Sequence, residues 1–191
     1  MTETGTDNRK IWITVIIGLI LAQAAILLAM GRVPICSCGY IRLFEPGVHS
    51  SGNSQHLSDW YTPSHFLHGV VFYGLTHLLA GRRSLAFRLA VAVFLEVAWE
   101  VLENTPMVID HYRTATMAFG YTGDSVLNSV MDSLFMIAGF MVAAVVPVWL
   151  SVALFIGLEL ATLAIIRDNL TLNVLMLTYP VAAIKEWQAG L

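Results

Sequence analysis

Two histidines three residues apart, His65 and His68, stand ahead of Glu96, Glu100 and Glu103, spaced four and then three, and of Asp124, Asn128 and Asp132, spaced four and four. Residues three and four apart share one face of a helix, so each group reads as a polar stripe. Imidazole and carboxylate together suit a divalent cation such as zinc, iron or manganese, and such an ion could activate water or polarise a phosphoryl oxygen. His65, His68, Glu100 and Glu103 are the expected ligands of that possible divalent metal. Without a metal the same groups would handle protons, because crowded carboxylates repel one another and some are pushed towards the range a general acid needs. The candidate catalytic set is His65, His68, Glu100, Glu103, Asp124, Asn128 and Asp132. Asp59, Ser64, Arg113 and Ser125 flank it as candidate substrate-binding residues, with Arg113 available to a phosphate.

The elements that must position these residues are helices in lipid. Of 191 residues, 57% are hydrophobic and 12% charged, against about 25% charged in soluble domains. The apolar residues gather in runs suited to spanning helices, which need about 20 mostly apolar residues. The expected architecture is one all-α membrane domain, a polytopic transmembrane bundle of five or six spans at about 11–30, 62–80, 85–103, 124–146, 149–166 and 170–184. Pro63 fits a first helical turn, with Thr62 or Ser64 as cap, and Asn104-Thr105-Pro106 stops the third span. The last run is short and contains Pro180; a crossing is preferred to a re-entrant segment. Arg9, Lys10, Arg82, Arg83 and Lys185 cluster on one side, which the distribution of basic residues makes cytoplasmic. Both termini are then cytoplasmic, in a bacterial inner membrane. The long segments 31–61 and 106–123 face outward, where three helices bring their ionisable groups. Carboxylates in such spans face the bundle interior or a watery cavity, so an outward-opening cavity is expected.

The formal net charge of −3 and the lack of a basic arm exclude nucleic acid as an expected partner; the bilayer and a lipid or cell-envelope substrate are the expected ones. Cys36 and Cys38 make no disulfide framework and read as free thiols or a minor redox pair. No His-Glu-x-x-His, Walker or Gly-x-Ser-x-Gly motif is present. Thr62-Pro63-Ser64-His65 matches part of a lipid-phosphatase signature whose other basic residues are missing, so that assignment is rejected. For His77, deep and apart from the cluster, a structural hydrogen bond is the preferred reading. Glu159, within the fifth run, is a functional candidate by its position, or else the partner of a polar group on a neighbouring helix.

Four blocks carry a resemblance: Ser58 to His65 with His68-Gly69, Glu96 to Asn104, Gly120 to Ser125 with Asn128 and Asp132, and Arg167 to Asn173 with Trp187-Gln188. Together they resemble a family of multi-pass inner-membrane proteins of unknown function, known mainly from alphaproteobacteria. The resemblance implies a membrane location and no reaction. The layout is also similar to that of VanZ-like proteins, with His65 or His68, Glu100, Asp124 and Asn128 in the corresponding positions; the basic residue and the glutamine of that pattern are absent or displaced. This similarity implies a role with envelope lipids or cell-wall precursors.

Three functions follow as expectations. The first is an enzyme acting on an envelope lipid or its head group at the outer face, a metal-dependent hydrolase or transferase. The second is a proton-coupled transporter using Glu159, Glu96 and Asp132. The third is an assembly subunit without chemistry of its own.

Overall fold

The structure, a computed structural model, describes residues 3–116 and 120–190, with side chains from Arg9 onward. Among the described residues there is no strand. The helices are α1 (Glu3–Ala29), α2 (Thr62–Ala80), α3 (Leu85–Glu103), α4 (Pro106–Ala115), α5 (Val126–Val145), α6 (Val148–Ile166), α7 (Leu170–Thr178) and α8 (Ala182–Gln188). Among the described residues three stretches are long and apolar enough to cross a membrane: Arg9–Ala29, α5 and α6. Helices α2 and α3 have 19 residues each, roughly 28 Å at the usual rise, but polar residues lower their apolarity.

Local chemistry sets the helix starts. The Ser84 hydroxyl accepts from the Phe87 amide at 3.2 Å and opens α3. Ser125 does the same for α5, accepting from Asn128 N at 3.1 Å, and Asn169 for α7, accepting from Leu172 N at 2.8 Å. Such caps satisfy amides that the first helical turn leaves without partners. The start of α2 departs from expectation: Tyr61 stands at the cap with no side-chain bond, and Thr62 Oγ1 instead accepts from Asp59 N at 3.0 Å.

The bundle is built on backbone contact between α2 and α5. A Cβ on Gly69 would lie 2.0 Å from the Met136 carbonyl oxygen, and one on Gly139 would lie 1.9 Å from that of Phe66. Only glycine allows this approach. Ala92, Val93 and Val97 of α3 join Met136 and Phe140 of α5 in the apolar core alongside. Helix α1 is tied on by Gln23, fully buried. Its amide donates to Ser129 Oγ at 2.8 Å, and its Oε1 accepts from Ser133 Oγ at 2.8 Å.

Segment 31–61 folds over the ends of these helices. Ser125 N donates to Ser54 O at 3.0 Å and Val126 N to Val33 O at 2.9 Å. The Gln55 amide donates to Gly123 O at 2.9 Å. Gly123, at φ 89°, takes the left-handed conformation that favours glycine. Cys36 and Cys38 are bridged, which corrects the free-thiol reading. The turn closed by Gly39 N and Cys36 O at 3.2 Å brings them together.

Three further expectations change. The segment 106–123 contains a helix, α4, started by Thr105 and Pro106. The fourth span begins at Val126, so Asp124 lies in the turn ahead of α5 and not on its stripe. The last apolar run is not one crossing helix but α7 and α8, nine and seven residues long, separated at Tyr179-Pro180 because proline disfavours helix in the residue before it. At about 1.5 Å per residue neither reaches across a bilayer. They fold back beside α4: His111 Nε2 meets Leu177 O at 2.9 Å, Lys185 Nζ donates to Thr114 O, and the Gln188 amide donates to Arg167 O at 3.0 Å.

Candidate functional site

The first turns of α2, the last turns of α3 and the first turns of α5 meet at one end of the bundle, as the three stripes require. Glu96 joins the two histidines. Its Oε1 lies 2.8 Å from His65 Nδ1 and its Oε2 lies 3.0 Å from His68 Nδ1. Glu100 Oε1 lies 3.2 Å from the same His65 Nδ1, while Glu100 Oε2 accepts from Ser129 Oγ at 2.6 Å. Gln23 holds Ser129 in turn. The other ring nitrogen, His65 Nε2, lies 3.9 Å from Asp132 Oδ2. Glu96 and Glu100 are fully buried. Glu100 Oε1 and Asp132 Oδ1 are buried without a hydrogen-bond partner, an arrangement that costs free energy unless a cation or proton satisfies it.

Above this cluster opens a cavity of about 520 Å³. His65, His68, Ser64 and Asp132 lie in its wall, with Asp59, Glu103, Asp124 and Asp168 around them. Tyr61, Tyr112, Tyr121 and Trp99 supply aromatic surface, and Phe72, Ile166, Leu170 and Val174 make an apolar side. Burial raises the Asp59 carboxyl above the usual carboxylate value, against the backbone amides of Tyr61 and Ser54 that pull it down. Burial likewise carries Asp168 from 3.8 to about 6, opposed by hydrogen bonds from the Asn169 backbone, Tyr61 and Gln188.

Not every expected residue reaches the cavity. Asn128 donates its amide to His56 O at 3.0 Å, and Ser125 Oγ donates to Gln55 O at 3.1 Å; both fasten the 31–61 segment to α5. Arg113 donates from Nε to Tyr121 O at 2.6 Å and lies outside the cavity wall, away from any phosphate held there. Asp124 accepts from Asn104 Nδ2 at 2.7 Å and from Tyr121 OH at 2.9 Å. Glu103 pairs with the Tyr112 hydroxyl, and its carboxylate lies within 4.8 Å of ligand atoms of His65 and Glu100, so these three expected ligands are brought together. The expected ligand set omitted Glu96, which the sequence places with the transport reading. Its spacing signal was present, since Glu96 begins the glutamate stripe. Tyr61, Tyr121 and Asp168 lie in the blocks that carry the family resemblance, but they and Tyr112 carried no chemical signal beyond interfacial aromatics and a polar turn.

His77 accepts its structural role: its Nδ1 lies 3.1 Å from Arg88 Nη1, far from the cluster. Glu159 is also accounted for. Its carboxyl oxygens accept from Leu170 N at 2.9 Å and Thr171 N at 3.1 Å, which satisfies two of the amides left open by the first turn of α7.

Residues 27–190 match the family described as "Protein of unknown function (DUF2585)". A UPF0314 protein of Agrobacterium fabrum is 60% identical over 180 residues, covering 94% of this chain and 91% of its own length. One from Rhizobium etli is 56% identical over 189 residues, covering 99% and 97%, and one from Sphingopyxis alaskensis is 55% identical over 186 residues, covering 97% and 98%. No solved structure matches the chain. The four sequence blocks, and with them the histidine–glutamate cluster, all lie inside the matched stretch, and the chain belongs to the UPF0314 (DUF2585) family of unknown function found in alphaproteobacteria.

Proposed function

We propose that the protein is an inner-membrane metalloenzyme acting on the polar head of an envelope lipid. The observation that carries this reading is a set of four ligand-type groups, His65 and His68 in the cavity wall and Glu96 and Glu100 buried behind them. His65 Nδ1, His68 Nδ1, Glu96 and Glu100 Oε1 are separated by 2.8 to 3.3 Å where they meet. Ligands at about 2.1 Å around an octahedral ion stand about 3 Å apart. Two imidazoles in the set favour zinc, iron or manganese over magnesium or calcium. The surroundings fit the same reading. Ser129 fixes one oxygen of Glu100 and leaves the other unpartnered, and Asp132 faces the far nitrogen of His65, the outer carboxylate that metal-bound histidines usually have. When bound, the ion would supply a polarised oxygen or an activated water for hydrolysis or transfer. Glu103, one turn nearer the cavity mouth, would take or give a proton.

In this reading α1, α2, α3, α5 and α6 cross the membrane, with the N-terminus cytoplasmic and the cavity outward. The chain then ends on the cavity side, because α7 and α8 return to α4, and a cytoplasmic C-terminus is given up. Transport loses its best support, since Glu159 is occupied at the start of α7.

The test is metal content by mass spectrometry on full-length protein purified without a metal-binding tag, beside the His65→Ala/His68→Ala double variant. Near-stoichiometric zinc, iron or manganese in the wild type, at least tenfold lower in a variant of unchanged size-exclusion profile, is the expected outcome. Wild type free of all three would end the metalloenzyme reading and leave Glu96, His65 and Asp132 as a proton relay.

A further inference from the structure

Its histidines apart, the ionisable side chains of the cavity wall are carboxylic acids and tyrosines. Asp59, Glu103, Asp124, Asp132 and Asp168 face it, and among the described residues no lysine or arginine does. Basic residues are present at this end of the bundle, and each is turned elsewhere. Arg32 donates to Thr122 O, Arg113 to Tyr121 O and Arg167 to Trp187 O. Arg42 pairs with Glu45 at 2.7 Å. Away from the histidines and any metal they hold, an anionic head group would meet carboxylates with no lysine or arginine to receive it. A positively charged one would meet carboxylates together with Tyr61, Tyr112, Tyr121 and Trp99, whose ring faces attract a cation. An independent feature points the same way. Asp132 is 5% exposed, lies in the cavity wall and has a buried Oδ1 without a partner.

The size and polarity of the space add the rest. A volume of about 520 Å³ is in the range of organic ligands, and far beyond a bare ion. Phe72 lies four residues beyond His68, one helical turn deeper along α2, and with Ile166 and Val174 it lines an apolar side. A polar head among the carboxylates would leave a hydrocarbon tail against these residues. We propose that the cavity takes the alkylammonium group of a cationic amphiphile, with the amine among the acids and the tail along Phe72 and Ile166. This names the substrate class of the site proposed above and rests on that reading only for the reaction, not for the binding.

The experiment is a binding titration of the full-length protein in maltoside detergent, read by tryptophan fluorescence, with Trp99→Phe assigning the signal to the cavity. The probes are dodecyltrimethylammonium, dodecyl sulfate and tetramethylammonium, all kept below micelle formation. Saturable binding of dodecyltrimethylammonium, at least tenfold tighter than dodecyl sulfate, is expected. Asp132→Asn and Asp168→Asn should each weaken it about tenfold in folded protein. Tetramethylammonium binding as tightly as the long-chain probe would restrict the ligand to a free amine and overturn the amphiphile. Equal or tighter binding of the sulfate, or no effect of either variant, would overturn the proposal. Metal content in the same samples separates the two ideas: an ammonium site can fail in a protein that holds its metal, and the reverse.

Discussion

Helices α5 and α6 follow one another across Val146-Pro147, have 20 and 19 residues, and are both apolar enough to cross a membrane. They end in opposite roles. Half of α5's apolar stretch is buried, against 17% of α6's. Helix α5 carries Asn128, Ser129, Asp132 and Ser133 inward and meets α2 backbone to backbone at Gly139. Helix α6 turns Trp149, Ile156 and Leu160 outward, and its one acid serves the next helix. Hydropathy says that both could cross. The polar side chains decide which becomes an inner wall, because a polar group facing lipid is costly and one facing a partner is not.

The largest expected contrast is at glycine. Gly139→Leu must displace the Phe66 carbonyl and should cost at least about 3 kcal/mol, seen as loss of the monodisperse peak in detergent. Gly157→Leu on α6, where a Cβ would meet nothing within 4 Å, should stay within about 0.5 kcal/mol of wild type. Equal tolerance at both positions would erase the distinction between the two helices. A middle-sized effect is expected at Glu159→Gln. Amide exchange at Leu170 and Thr171 should quicken by about the worth of one helix cap, near 1 kcal/mol, with metal content unchanged. If wild type carried a proton flux in liposomes that this variant lost, α6 would belong to a pathway and the outer-wall role would fall.

The smallest effect is a pH dependence. Asp168 titrates near 6 in the folded protein and 3.8 ordinarily, with burial as the cause. At this group the folded state therefore holds more protons than the unfolded state between those values, and Asp168's contribution to stability falls as pH rises from about 4 to 6. Asp168→Asn should flatten that part of the curve of melting temperature against pH. An unchanged slope would show that Asp168 does not drive it.

The spacing of His65, His68 and the glutamates was enough to place three helix ends together, because period and burial cost act locally on each stripe. It was not enough to choose between Glu96 and Glu103 as the closer partner of the histidines. That choice depends on how far α3 slides along α2, which the Gly69–Gly139 crossing and the core beside it fix. The helix α4 was missed because its sequence, Pro106–Ala115, has a polar composition shared with loops. The final crossing was misjudged because apolar composition alone does not count turns, and Pro180 divides the segment into pieces too short to span. Arg42 has its partner Glu45 three residues away, but Arg32, Arg113 and Arg167 had no sequence signal, since their partners are backbone carbonyls brought close only by the fold.

The short connection Gly81-Arg82-Arg83-Ser84 between α2 and α3 bears on biogenesis. Both arms of this hairpin emerge from the ribosome before α5 exists. Glu96 meets His65 and His68 within the hairpin itself, so if α2 and α3 cross the membrane as proposed above, the pair would enter the bilayer with that carboxylate already hydrogen-bonded. A glutamate inserted alone near mid-membrane would face a penalty of a few kcal/mol. On the same proposal the arginines of the turn would stay behind as the anchor that sets the hairpin's direction. The residues read here as a reaction centre would thus serve first as the means by which the acidic third helix enters the membrane.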